Sequence, residues 1–259
     1  MKTVSFPGTK SIGLLLDPDK TKGATLLNFL KIADEGKTDF ILAGGSLTFN
    51  RIDDLIDTVK QHTSIPVILF PGSLLQLTLK ADVIMLLSLI SGRNSELLIG
   101  NHVIAAPHLN EAREKLISVG YMLIGSGKKT SVEYISQTEA IPADKPDIAV
   151  ATAMAGEMLG LQMIYLEAGS GAGNPVPLSV IKAVRENISV PLAVGGGIKT
   201  KDTITEFFNA GVNLIILGNG VENNPGLLLD ACRIRDQFKS DSLKAESTSF
   251  VSRETFSNG

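Results

Sequence analysis

Short unbroken apolar runs recur along this chain, and longer amphipathic stretches separate them. The runs predict strands at Ile12–Leu16, Phe40–Ala43, Pro66–Phe70, Asp82–Leu87, Tyr121–Ile124, Met163–Leu166, Pro191–Val194 and Asn213–Leu217. Runs such as IGLLL, VIMLL and LIIL carry no alternating polar face. That suits strands covered on both sides, as in a parallel sheet wrapped by helices. The amphipathic stretches predict helices near 22–36, 52–62, 147–160, 178–187, 201–211 and 225–238. The stretch from 94 to about 118 is mostly helical in pattern, with a break at Pro107. Alternating units of this kind imply right-handed crossovers and one continuous sheet, and eight of them favour closure. The expected fold is therefore α/β, a (β/α)8 TIM barrel forming a single domain over residues 1–239. One unit is irregular. Only about eleven residues, Gly72 to Asp82, join the third and fourth strands, so the third unit is short and its helix clipped or missing. That leaves an opening in the ring of helices. Ser240–Gly259 are polar, serine-rich and aperiodic, and read as a disordered tail or a cloning remnant.

Composition narrows the function classes. A net charge of −3 gives no basic footprint, so no nucleic-acid partner is expected. Cys232 is the one cysteine, which excludes an intrachain disulfide framework and fits a reducing compartment. It lies in the amphipathic stretch LLLDACRIRDQF and reads as a buried structural thiol. The opening MKTVSFPGTK lacks the apolar core of a secretory signal. The most apolar stretch, Val83–Ile90, is far short of the ~20 residues a membrane span needs. A soluble, cytoplasmic enzyme is expected, one still able to draw a lipid substrate from a membrane surface.

In this fold the chemistry sits where strands end. The predicted strand ends carry Asp17-Pro18-Asp19-Lys20 after the first and Gly44-Gly45-Ser46 after the second. They carry Glu167 through Gly173 after the sixth, Gly195-Gly196-Gly197-Ile198-Lys199 after the seventh, and Gly218-Asn219-Gly220 after the eighth. Glycine-rich turns leading into helices expose N–H donors and a positive helix end, a combination that holds phosphate. Asp17, with Ser46 one strand over, can bind Mg²⁺; Asp17 can equally cap the following segment, and Asp19 can play either part. Lys20 and Lys199 can neutralise phosphate or stand as surface lysines. Glu167 follows an apolar strand and can hold hydroxyls and accept a proton. Tyr165 either turns its hydroxyl to a ligand or fills the core. His62, His102 and His108 show no metal-ligand spacing. GSGKKTS at 125–131 lacks the spacing of a phosphate-binding P-loop.

LLLDPDK, AGGS, YLEAGSGAGNPVP, VGGGIKT and LGNGVE, in this order from about Ile12 to Phe238, resemble the geranylgeranylglyceryl phosphate synthase family, which includes the bacterial heptaprenylglyceryl phosphate synthases. The resemblance implies a prenyltransferase that joins a polyprenyl diphosphate to the sn-3 hydroxyl of sn-glycerol 1-phosphate and releases pyrophosphate. It implies Mg²⁺ on Asp17 and Ser46, with Lys20 a candidate diphosphate contact. It implies glycerol phosphate along Tyr165, Leu166, Glu167, Ala168, Gly169, Ser170 and Gly171, its phosphate held by Gly196, Gly197, Gly218 and Asn219, and Glu167 as the catalytic base. A homo-oligomer, dimer or hexamer, is implied as well. Leu74, Leu75, Leu77, Met85, Leu86 and Leu89 supply side chains for a prenyl channel. Some bacterial members carry a lysine where Leu15 stands here; the DPDK form favours a C20 over a C35 donor. The competing expectations are a phosphate-barrel isomerase or synthase, which needs no prenyl groove, and a non-catalytic ligand-binding barrel.

Overall fold

The computed structural model describes residues 9–254, with side chains through residue 241. Strands β1 (Ser11–Leu16), β2 (Phe40–Ala43), β3 (Val67–Leu69), β4 (Val83–Leu89), β5 (Leu116–Leu123), β6 (Met163–Glu167), β7 (Leu192–Gly195) and β8 (Leu214–Leu217) form a closed barrel in sequence order. Every ladder is parallel, and β8 returns to β1 with Ile215 opposite Ile12. The helices are α1 (Gly23–Glu35), α2 (Ile52–His62), α3 (Asn101–Leu109), α4 (Ser131–Ser136), α5 (Pro146–Met158), α6 (Leu178–Asn187), α7 (Lys201–Asn209), α8 (Asn219–Asn223) and α9 (Gly226–Glu254).

The unbroken apolar runs resolve into two cores. Successive strand residues point to opposite faces. Ile12, Leu14 and Leu16 of β1, Ile41 of β2 and Ile215 of β8 pack outward against the helices. Leu42, Ile68, Met85, Met163, Leu214 and Ile216 fill the barrel interior. Most strand positions are buried on one side or the other, and each large apolar side chain so buried gains roughly 1.5–3 kcal/mol, which favours Leu, Ile and Val.

The third unit is clipped as expected. Between β3 and β4 stands only a 3₁₀ turn, Leu74–Gln76. Gln76 is buried and bridges two rim loops, donating to the Gly45 carbonyl (2.8 Å) and accepting from Gly72 N–H (3.0 Å). Beyond β4 the chain makes a π-helical turn (Glu96–Gly100), then α3, then a 3₁₀ segment (Asn110–Lys115). Pro107 does not break this stretch. It lies within the last turn of α3, and helical geometry is lost only at Ala112 (φ −134°, ψ 37°). β5 begins five residues earlier than Tyr121, because Leu116–Gly120 pair with Ile84–Ser88.

The last helix also differs from expectation. It does not stop at Phe238 but continues to Glu254, so residues 240–254 are helical rather than irregular. No glycine or proline lies between Gly226 and Gly259 to end it. Residues 255–259 of the expected tail, and the first eight residues, lie outside the described residues. The helix is anchored beneath the barrel by Arg235, which is 2% exposed. Its guanidinium donates to Asp39 Oδ2 (2.6 Å) and to the carbonyls of Lys37 (2.8 Å) and Gly36 (3.3 Å). Asp39 in turn accepts from Ile12 N–H (2.9 Å) and Lys239 (2.8 Å), tying α9, the α1–β2 turn and β1 together. Arg235→Ala is expected to cost about 3 kcal/mol, because it strips a buried carbonyl cluster and carboxylate of their main donor. Urea denaturation reads this directly; a loss near zero would show that Lys239 alone suffices.

Candidate active site

β6 delivers the central carboxylate by simple alternation. Met163 and Tyr165 point into the barrel, and Glu167 follows at the top of the same face. Glu167 is only 6% exposed. Its Oε2 accepts from the Tyr165 hydroxyl (2.5 Å) and its Oε1 from Gly169 N–H (2.7 Å). Burial pushes the Glu167 carboxyl above the ordinary carboxylate range, and these two hydrogen bonds pull back against that shift. A carboxylate of raised proton affinity at a strand end suits a general base. Tyr165 is fully buried; burial and then the neighbouring Glu167 hold its phenol well above the usual value, so it stays a donor.

The glycines of β7 make room for this pair. A methyl group on Gly195 would meet the Tyr165 hydroxyl at 2.1 Å. Gly196 has φ +81°, and a Cβ there would lie 2.4 Å from Glu167 Oε1. Gly195 and Gly196 are therefore demanded by the Tyr165–Glu167 pair, whereas Gly197 (φ +69°) is demanded by the Asn174 carbonyl, which a Cβ there would meet at 2.4 Å. After β8 comes α8, a short helix that the apolar pattern did not predict. Its first residue, Asn219, accepts from Ser170 Oγ (3.1 Å), linking the β6 and β8 loops. Lys199 is spent on the Gly173 carbonyl (3.0 Å), linking the β7 and β6 loops. Loops after the seventh and eighth strands plus a short extra helix are the usual phosphate cradle of this architecture.

These loops surround a cavity of about 430 Å³. Asp17, Lys20, Ser46, Tyr165, Glu167, Gly169, Ser170, Gly171, Gly196, Gly197, Gly218 and Asn219 all border it. Leu166 and Ala168 do not. Their side chains sit in the outer apolar layer, because alternation turns them away from the barrel axis. Across the cavity, Asp17 Oδ1 accepts from Asp19 N–H (2.9 Å), and Oδ2 stands 3.6 Å from Lys20 Nζ. Asp19 instead pins the β2–α2 loop through the N–H groups of Phe49 and Asn50, both at 2.8 Å. Among the described residues no three His, Cys, Asp or Glu cluster, and Asp17 and Ser46 border the same rim cavity.

A second cavity of about 170 Å³ opens where the third helix is missing. Leu74, Leu77, Met85, Leu86 and Leu89 line it, as expected for an apolar groove. Leu75 does not: it is 97% exposed, since the 3₁₀ turn presents only one side to the groove. Gly45, Ser46, Phe70, Tyr121, Val132 and Ile135 border both cavities, so groove and rim adjoin along these residues. His102 lies along the groove with Nε2 3.2 Å from Ser88 Oγ, and burial lowers its pKa. His62 is exposed and bonded to the Thr58 carbonyl. Cys232 is buried against Thr38, and burial raises its thiol pKa.

The sequence reading missed Phe70 and Tyr121 as site residues, and missed α4, whose residues Ser131, Val132 and Ile135 form one wall. A signal for α4 was present. Thr130 and Glu133 form a capping box, so GSGKKTS is the approach to a helix N-terminus.

Comparison with known families matches residues 10–235 to the PcrB family. The chain belongs to that family. It is 45% identical to the geranylgeranylglyceryl phosphate synthase of Spirosoma linguale, over 95% of this chain and 99% of that one. The synthase of the same name from Korarchaeum cryptofilum is 35% identical over 88% of this chain and 94% of its own length. The crystal structure of (S)-3-O-geranylgeranylglyceryl phosphate synthase from Thermoplasma acidophilum, in complex with sn-glycerol-1-phosphate, superposes with a TM-score of 0.82 at 29% identity, covering 90% and 94% of the two chains.

The raised proton affinity of Glu167 has a sign that can be tested in this PcrB-family barrel. Below about pH 4 the carboxyl is protonated in both folded and unfolded chains, and burying it carries no ionisation penalty. As pH rises the unfolded state loses its proton first, so stability falls until the folded-state pKa is passed. Glu167→Gln should therefore raise the melting temperature relative to wild type more at pH 8 than at pH 4. An equal difference at both pH values would show that the folded carboxyl is not shifted upward.

Proposed function

We propose that this PcrB-family barrel is a prenyltransferase that joins a polyprenyl diphosphate to the sn-3 hydroxyl of sn-glycerol 1-phosphate, with release of pyrophosphate. The observation that carries this reading is a carboxylate-bearing, glycine-rimmed cavity that adjoins an apolar groove and shares six lining residues with it. An isomerase of small phosphorylated metabolites has no use for that groove. A non-catalytic barrel gives no reason to bury Glu167.

In this reading the backbone of Gly196, Gly197, Gly218 and Asn219 holds the phosphate of glycerol phosphate, and Ser170 positions the glycerol. Glu167 binds the sn-3 hydroxyl and accepts its proton, helped by its raised affinity. The prenyl tail lies in the groove past Leu74, Leu77 and Met85, and a C20 tail is the favoured donor. The rim donors fit Mg²⁺, a hard ion that takes one or two carboxylates and completes its shell with substrate phosphate oxygens and water. Asp17 and Ser46 would hold it, and when bound it neutralises charge on the departing diphosphate. Lys20, already beside Asp17, adds positive charge at the same mouth. Two phosphorylated substrates are thereby fixed in one orientation, which is where much of the acceleration in such a reaction arises.

Among the described residues no helix is long and apolar enough to cross a membrane. A cytoplasmic location, with the prenyl donor collected from a membrane surface, belongs to this proposal. So does a homo-oligomer, for which the exposed Ile148, Met158 and Leu159 along and just beyond α5 offer an apolar face.

Incubating the protein with Mg²⁺, geranylgeranyl diphosphate and sn-glycerol 1-phosphate should give the prenyl ether, detected by mass spectrometry. Absence of product with any prenyl length would remove the reading. Glu167→Ala should lower kcat by about 10²–10⁴-fold, the usual contribution of a positioned base, with the fold intact by circular dichroism. Asp17→Asn should raise the Mg²⁺ concentration needed for half-maximal rate; an unchanged Mg²⁺ dependence would remove Asp17 from the metal site.

A further inference from the structure

The boundary between the two cavities is the one place that both substrates must reach. If the glycerol hydroxyl lies at Glu167 and the prenyl tail in the groove, the reacting allylic carbon crosses between them. Of the six residues bordering both cavities, Phe70 and Tyr121 are the two aromatic ones. They form a triangle with Tyr165. Ring centroids are 5.9 Å apart for Phe70 and Tyr121, 5.5 Å for Phe70 and Tyr165, and 5.3 Å for Tyr121 and Tyr165. All three pairs meet at steep angles of 62–67°. Each pair meets edge to face rather than face to face, and Phe70 and Tyr121 both line the groove and the rim cavity.

Resting on the prenyl-transfer reading, we propose that Phe70 and Tyr121 are catalytic residues whose ring faces stabilise the cationic allylic carbon in the transition state. The bond from the donor's first carbon to the diphosphate oxygen breaks, and its electron pair leaves with pyrophosphate. A lone pair of the sn-3 oxygen forms the new C–O bond, and the hydroxyl proton passes to Glu167. Between these events the carbon carries positive charge in a water-poor site, where a ring quadrupole attracts a cation most strongly. The same rings keep bulk water from capturing that carbon. The structure places them well for this. Tyr121 sits in the barrel interior, 7% exposed, while Phe70 stands just past β3, at the start of the clipped unit that opens the groove. The missing helix and the aromatic junction are thus parts of one arrangement: the first admits the tail, the second receives its reactive end.

Single-turnover rates with both substrates bound isolate the chemical step. Phe70→Leu and Tyr121→Leu should each lower that rate by about 10–30-fold, the range expected of a desolvated cation–π contact, with little change in KM for either substrate. Tyr121→Phe, which keeps the ring, should stay near wild type. Incorporating mono-, di- and trifluorophenylalanine at position 70 drains the ring face while nearly preserving its shape. The rate should fall stepwise with fluorine number, and a mere wall residue would give a flat series. A flat series, or a loss confined to KM, overturns the proposal while leaving the prenyl-transfer reading intact. A wild-type protein that forms no prenyl ether from any donor overturns both.

Discussion

A buried carboxylate, Glu167, lies at the top of the closed barrel, above an apolar interior, and the loops nearest it are arranged around it. Placing Glu167 there is expensive: a carboxylate taken from water must recover its hydrogen bonds or give up its charge. The barrel satisfies it from two sides, by Tyr165 within the same strand and by Gly169 N–H just beyond it. That solution has consequences for neighbours. Gly195 and Gly196 must be glycine because the Tyr165–Glu167 pair occupies the space their side chains would need. The glycine run that reads as a phosphate loop in the sequence is thus also a clearance for the Tyr165–Glu167 pair. A side chain added at Gly195 or Gly196 would displace that pair.

The strands of this fold were legible because both faces of the barrel are dry. IGLLL and LIIL could be placed as strands without knowing which residue faces which core. The same uniformity hid the facing. Leu166 and Ala168 look like site residues in the run YLEAGSG, yet alternation sends both into the helix layer. Only the register, Leu166 opposite Val194 and Glu167 opposite Gly195, settles which side each takes. The Glu167, Gly196–Gly197 and Gly218–Asn219 constellation was legible because charged and glycine residues interrupt apolar runs at one end of each strand. Phe70 and Tyr121 were not, because an aromatic residue at a strand end looks the same whether it fills a core or meets a ligand. Their significance comes from two cavities meeting at those rings, and no local pattern records that.

The clipped third unit shows how a deletion becomes a feature. Its absence was visible as spacing, but an uncovered barrel flank would normally expose β3 and β4 to water. Leu74 and Leu77 of the short connection, together with Leu97 and Ala105 of the helical segment after β4, wall the flank instead. Gln76 holds this connection to the rim by bonding Gly45 and Gly72 at once. Gly45 in turn packs against Asp17, whose carboxylate would lie 3.2 Å from a Cβ at that position. The groove wall is therefore mechanically continuous with the loop that carries Ser46 and faces Asp17. A change that loosened the 3₁₀ turn would be felt at the polar mouth as well as in the groove.

Leu15 sharpens the division between those two regions. It lines the rim cavity from β1, two residues before Asp17, and lies near Gly218. Lys20 stands on the loop beyond, 44% exposed, where it meets Asp17 at the mouth. The floor of the cavity stays apolar and Glu167 keeps its full desolvation, the leading cause of its raised proton affinity. The exposed Asp17–Lys20 pair, where solvent screens charge, thus stands apart from the buried Glu167 carboxyl.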